Sequence, residues 1–212
     1  MKINLEFTRI ALVGAPGSGK SSVIELLERG IINGGEDEAN VKIGFIPEAA
    51  TRLMVYNEIR DLRARDGAAF QEKVAITQLI GEDAGLYEAI KDGAQSYLQI
   101  TDRALMDAYV YLTDEQRQSL RFPFPDLAEL CRRYDAVLFF DMYEMKDGFS
   151  EGNSLRAESC NEELRRLHDI SLGVYRNHPV FFRVPTFETV EKKAHFVAEL
   201  INGIVGKTVF SL

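Results

Sequence analysis

Arg9-Ile10-Ala11-Leu12-Val13-Gly14-Ala15-Pro16-Gly17-Ser18-Gly19-Lys20-Ser21-Ser22 is the stretch that decides how this chain is read. Ile10 to Val13 is a short apolar run of the kind that forms a buried strand. It breaks at a glycine-rich turn, and Gly14-x4-Gly19-Lys20-Ser21 then opens onto a helical stretch, Ser22 to Arg29. Strand, glycine loop and helix in that order are what a phosphate-binding loop requires. Gly14, Gly17 and Gly19 permit positive φ and leave no Cβ in a ligand's way. The loop amides can then turn inward as an anion nest at a helix N-terminus, where the helix dipole favours negative charge. The nucleotide-binding set read from this stretch is Gly14, Ala15, Pro16, Gly17, Ser18, Gly19, Lys20, Ser21 and Ser22. In that reading Lys20 reaches the β- and γ-phosphates, and the Ser21 hydroxyl is a ligand to Mg²⁺.

Composition narrows the classes around this motif. A chain of 212 residues with 46% hydrophobic and 27% charged residues suits one soluble globular domain, here 1–212, with a substantial core. The formal net charge of −8, with both signs mixed along the chain, argues against a broad nucleic-acid surface. Cys131 and Cys160 lack metal-ligand spacing and read as reduced thiols, and His168, His178 and His195 form no recognisable zinc pattern. No apolar run approaches the roughly 20 residues of a membrane span, and no signal-peptide core is present. The expected compartment is the cytosol.

The rest of the chain alternates strands and helices. Val41 to Pro47 reads as the second strand, and a helix from Ala49 to about Arg65 follows Glu48 directly. Residues just past the carboxyl ends of parallel strands face the ligand crevice, so Glu48 is a candidate substrate carboxylate or general base and Arg52 a phosphate or substrate contact. An equally weighted alternative makes Glu48 a helix-start carboxylate paired with Arg52. Arg60 to Asp66 reads as a solvated helix end. Phe70 to Asp92 is a long helix with Val74, Leu79, Ile80, Leu86, Ala89 and Ile90 at core-facing intervals, stopped by Gly93. Gln71, Gln78 and Glu82 on it read as solvated in preference to pocket-lining.

Ser96 to Thr101 is the third strand, with Asp102-Arg103 at its carboxyl end. A carboxylate beside the phosphate loop can hold Mg²⁺ through water or orient a nucleophile, and Arg103 can neutralise phosphate charge. The competing role for Asp102 is N-cap of a helix over 103–112, with Asp107 a helix-face partner of Arg103. Thr113 caps a short helix, Phe122 to Pro125 is an extended connector, and Asp126 caps a helix to Arg133. Ala136 to Phe140 is an almost wholly apolar strand, and Asp141 at its end ranks second to Asp102 as the Mg²⁺-site carboxylate. Met145 to Ser154 is rich in Gly, Asp, Ser and Asn, so 142–160 reads as a mobile lid whose Arg156 closes on the transferring phosphate. A helix from Asn161 to Tyr175, carrying ordinary surface Arg165 and Arg166, a strand Val180 to Pro185 and a helix over 188–204 complete the chain. Repeated strand–helix units imply an α/β fold, a five-stranded parallel sheet with helices on both faces.

Several of these stretches together carry a family resemblance. They are Gly14 to Ser21, Ile46-Pro47-Glu48-Ala49-Ala50-Thr51-Arg52, Thr101-Asp102-Arg103-Ala104-Leu105-Met106-Asp107, Arg156-x-Glu158 and Val184-Pro185. The chain resembles the small AAA-labelled P-loop ATPases related to the ribosylnicotinamide kinase and deoxynucleoside kinase branch of nucleotide kinases. The resemblance implies a P-loop NTPase three-layer sandwich and a nucleotide-kinase-like site. In it Lys20 and Ser21 take phosphate and Mg²⁺, Glu48 is the acceptor-side carboxylate, Asp102-Arg103 is the acid–arginine pair, and Arg156 is a lid arginine. The kinase branch often carries several lid arginines, whereas Arg156 stands alone until Arg165. The expected function is an ATP-binding, Mg²⁺-dependent phosphotransferase acting on a small, nucleoside-like metabolite, with Lys20, Glu48, Asp102, Arg103 and Arg156 catalytic and Ser21 and Asp102 at the metal. The alternative is a nucleotide-dependent switch or adaptor whose slow hydrolysis controls a protein partner.

Overall fold

The computed structural model describes residues 5–30, 41–122, 124–142 and 161–212. The apolar run of the opening stretch lies inside a longer strand, β1 (Glu6–Val13), whose Ile10, Ala11, Leu12 and Val13 are wholly buried. Helix α1 (Lys20–Arg29) begins two residues earlier than the pattern suggests, because left-handed Gly19 (φ +89°) turns the loop straight into it. Then come β2 (Val41–Ile46), α2 (Ala49–Leu53), α3 (Asn57–Arg65) and α4 (Gly67–Lys91). The helix expected over 49–65 is therefore two. Tyr56 is extended, and the Arg60 guanidinium donates from Nε to the Met54 carbonyl at 2.6 Å, satisfying the end of α2 from a distance no local pattern reveals. Asp66 caps α4 by accepting from the Ala69 amide, and Gly93 ends it at φ +73°.

β3 (Ser96–Asp102) leads into a 3₁₀ turn, Leu105–Asp107, and the short α5 (Ala108–Tyr111). The continuous helix expected over 103–112 is absent, since Arg103 takes φ +82° and breaks the chain there. Thr113 and Gln116 form a reciprocal capping box on α6 (Asp114–Ser119), and Asp126 caps α7 (Leu127–Cys131). β4 (Ala136–Phe140), α8 (Asn161–Tyr175), β5 (Phe181–Val184) and α9 (Val190–Val205) follow, the last capped by Thr189.

All neighbouring strands pair in parallel, in the order β2-β3-β1-β4-β5. Alternation along β1 builds two cores, one on each face. Ile10 and Leu12 join Val23, Leu27, Val197 and Ile201 of α1 and α9. Ala11 and Val13 join Ala75 of α4, Leu167 of α8 and the turn after β3. Helix, sheet and helix make the three-layer α/β arrangement of a P-loop NTPase, with the carboxyl ends of β1, β2 and β3 gathered at one edge. On α4, Ile80 and Ile90 face outward instead of inward, while Gln78 and Glu82, expected in solvent, are buried. Gly81 and Gly85 bring this helix so close to β2 and β3 that a Cβ on Gly85 would lie 2.8 Å from the Tyr97 hydroxyl. Close approach at the glycines rotates the polar pair inward.

Candidate active site

Loop geometry is set by three left-handed glycines, Gly14 (φ +133°), Gly17 (+81°) and Gly19 (+89°). Gly14 is needed for a reason other than ligand access: a Cβ there would sit 2.5 Å from the Phe140 carbonyl oxygen, so β4 excludes any side chain. No side chain caps α1 at Gly19. The first amides of that helix have no intrahelical acceptor, which leaves them to an anion. Lys20 is buried and donates from Nζ to the carbonyls of Gly14 and Ala15 and to Ser18 Oγ, each at 3.1 Å. Burial, with Arg103 adding to it, lowers its pKa to about 8.

At the end of β3, Asp102 Oδ2 accepts from Ser21 Oγ at 2.9 Å. Its Oδ1 is buried with no hydrogen-bond partner among the described residues, and burial raises the carboxyl's pKa. A hydroxyl paired with a half-satisfied carboxylate at the mouth of a phosphate loop is a donor set of hard oxygens that fits a Mg²⁺ ion and its waters. Asp102 belongs to the strand and caps no helix. Asp141, the second-ranked carboxylate, is engaged by Arg183 through Nε (3.1 Å) and Nη2 (2.7 Å).

Arg103 is the hub. Its Nε donates to Glu48 Oε1 at 2.9 Å, and its Nη1 to the Gly14 carbonyl at 3.1 Å and to Asp107 Oδ2 and the Tyr111 hydroxyl at 3.4 Å. Burial opposes its charge, but Tyr111, Asp107 and Glu48 around it outweigh that and hold the guanidinium firmly protonated. A non-glycine residue at φ +82° is strained, and such strain concentrates where function requires it. Burial pushes the Glu48 carboxyl up, yet Arg103 and the Thr51 hydroxyl (2.6 Å) outweigh it and keep the carboxyl below its usual range. Arg52, expected either at phosphate or as partner to Glu48, is exposed; Arg103 takes the pairing instead. Tyr175 from α8 donates to Asp107 Oδ1 at 2.6 Å and so braces Arg103 from behind.

Lys20, Ser21, Glu48, Asp102, Arg103 and Asp107 line one cavity of about 340 Å³, within the range of small-molecule sites. Pro16, Gly17, Gly19, Lys20, Ser21 and Ser22 form its phosphate end, and Ala15 and Ser18 lie buried beneath. Glu48, Asp102 and Arg103 stand at the centre. Beyond them Met54, Phe70, Val74, Leu105 and Tyr111 line a chamber that also holds Arg63, Gln71 and Gln78. Arg156, Cys160 and all of the expected lid over 142–160 except Met142 lie outside the described residues.

A family model described as an AAA domain matches residues 9–193. The chain belongs to this AAA domain family. Among curated proteins no sequence matches it. Among solved structures it is similar to shikimate kinase from Aquifex aeolicus, at 17% identity and TM-score 0.45, over 94% of this chain and 99% of that one. It is also similar to thymidylate kinase from Candida albicans, at 14% identity and TM-score 0.49, over 93% of this chain and 92% of that one. Among the described residues of this AAA domain no helix is long and apolar enough to cross a membrane, and no cluster of His, Cys, Asp and Glu is arranged to hold a metal ion.

Gln78 and Glu82, expected in solvent in preference to the pocket wall, are instead buried. Glu82, with no solvent exposure, accepts from Arg133 Nε at 2.6 Å, the Tyr134 hydroxyl at 2.8 Å and Gln78 Nε2 at 3.1 Å, and lies 3.6 Å from Arg9 Nη1. The bond to Glu82 fixes the Gln78 amide and leaves its Oε1 buried at the chamber wall without a partner among the described residues. The Tyr134 hydroxyl in turn accepts from the Leu105 amide, fastening the turn after Arg103. The only sequence signal was two polar residues four apart on a helix, the same signal a solvated face gives.

Proposed function

We propose that this AAA domain is a Mg²⁺–ATP-dependent phosphotransferase whose acceptor is a small, nucleoside-like metabolite. The observation that carries the reading is the continuity of the cavity from the loop amides, past Glu48 and Arg103, to a further pocket lined by Met54, Phe70, Val74 and Leu105. A bare hydrolase needs no such chamber. In this reading the loop amides and Lys20 hold the triphosphate, and Ser21 and Asp102 hold Mg²⁺, which when bound neutralises charge between the β- and γ-phosphates.

An acceptor hydroxyl in the chamber attacks the γ-phosphorus as the bond to the β–γ bridging oxygen breaks, and ADP leaves with that electron pair. Glu48 orients the hydroxyl and takes its proton late. Held ionised, each of its oxygens makes one hydrogen bond and keeps acceptor capacity for another. Arg103 and Lys20 offset charge on the transferring group. Arg156 keeps the role of a second arginine on sequence grounds alone, and the chain from 1 to 212 acts as one unit with 142–160 as its closing segment.

Locked as an acceptor by Glu82, Gln78 Oε1 favours an acceptor molecule that brings an N–H or O–H donor to the chamber wall. The test is ADP production from Mg²⁺–ATP, alone and against a panel of nucleosides and related metabolites. Strong stimulation by one compound, with phosphate recovered on it, is the expected result. Tight ATP binding with slow turnover and no stimulation by any compound overturns the kinase reading in favour of a nucleotide switch.

A further inference from the structure

One cation near the loop belongs to no step described above. Lys193, on the first turn of α9, has no solvent exposure, and its Nζ donates to the Ser18 carbonyl at 2.9 Å across 175 positions of sequence. The ammonium lies 5.3 Å from the centre of the Phe140 ring. Its helix neighbours Ala194 and Val197 belong to the apolar core. A fully buried lysine is among the least common side chains, because taking an ammonium out of water is costly and an apolar residue of similar volume is often more stable. Burial lowers its pKa to about 8. Asp141 opposes that shift but is itself engaged by Arg183.

The peptide plane supplies a reason to keep the charge. In a trans peptide the carbonyl of one residue and the N–H of the next point in opposite directions. With the Ser18 carbonyl drawn down onto Lys193, the Gly19 N–H is turned the other way, toward the cavity that Gly19 lines. Gly19 is also the left-handed residue at the head of α1, where a peptide flip meets little steric resistance. Resting on the nucleotide reading of this site, we infer that Lys193 is a positioning residue that holds the Ser18–Gly19 peptide in the phosphate-binding orientation. It makes the loop an anion site before nucleotide arrives, so the ordering cost is not taken from binding.

The test separates this from a role in stability. Lys193→Met keeps volume and removes the donor; Lys193→Arg keeps a donor. Melting temperature without nucleotide and the Kd for ATP and for ADP are measured on wild type and both variants. Expected for Lys193→Met is an unchanged or higher melting temperature with a roughly tenfold weaker Kd for both nucleotides, and for Lys193→Arg a substantial return of affinity. A folded Lys193→Met protein with wild-type Kd overturns the inference, as does Lys193→Arg binding as weakly as Lys193→Met. Should methionine prevent folding, Lys193→Gln, whose amide falls short of the carbonyl, is subject to the same two outcomes. Failure of the wild type to bind ATP overturns the nucleotide reading itself, and the inference with it.

Discussion

Glu48 and Arg103 are a pair whose partners matter more than their own chemistry. Arg103 keeps Glu48 ionised, and Asp107, backed by Tyr175, keeps Arg103 in place. Glu48→Gln preserves shape while removing the proton acceptor. It is expected to lower acceptor phosphorylation by about 100-fold or more with ATP Kd within about twofold of wild type. Unchanged turnover would refute the assignment. A second residue-scale prediction concerns pH. Lys20, like Lys193, titrates near 8 in the folded chain against 10.5 for an ordinary lysine. ATP affinity should be flat below pH 8 and fall as pH rises through it, because the neutral amine no longer attracts phosphate. Stability of the free protein should move the opposite way. Between pH 8 and 10.5 the unfolded chain binds more protons at these positions, so their contribution to stability rises with pH. Calorimetric ATP titrations and melts at pH 7 and 9 check both signs; an affinity that does not change across that interval counts against a charged Lys20 at the phosphates.

At the scale of elements, α4 does two jobs with one pair of turns. Its glycines bring it against β2 and β3, and the same approach seats Glu82 between Arg133, Tyr134 and Gln78. Glu82→Ala leaves Arg9 and Arg133 without their buried counter-charge. Removing one partner from such a network costs about 3–5 kcal/mol, or roughly 10 °C in melting temperature for a domain of this size. A thermal melt checks it, and a loss under about 1 kcal/mol would show that the network is solvated. Helix ends were legible where the signal is local: Thr113 and Asp126 both cap as their spacing requires. They were illegible at α2 and α3, where a side chain six residues on satisfies the helix end, and after β3, where a left-handed arginine replaces the expected helix.

For the molecule as a whole, ligand binding and folding are linked through the loop that joins β1 to α1. ATP at about 100 times its Kd adds about 2.7 kcal/mol, which for this size raises the melting temperature by roughly 5–10 °C. If Ser21 and Asp102 hold Mg²⁺, Asp102→Asn should remove the part of that shift that depends on Mg²⁺ and leave the shift measured in EDTA near its wild-type value. Differential scanning fluorimetry with ATP, with and without Mg²⁺, reads the difference. An Asp102→Asn protein with the full Mg²⁺-dependent shift would move the ion elsewhere.

The phosphate loop, the five parallel strands and the placement of Glu48, Asp102 and Arg103 at strand ends are local or periodic features. A glycine's φ, a run of apolar residues and a turn position are properties of a few neighbouring residues, so the sequence alone determined them. Which carboxylate Arg103 would hold, that Arg52 would face solvent, that Gln78 and Glu82 would lie inside, and that Lys193 would reach Ser18 are matters of pairing across 51 to 175 positions. Such pairs are selected by how closely helices approach the sheet and by the cost of leaving a buried charge unmatched. Neither quantity exists until the chain has packed, which is why only the tertiary structure decided them.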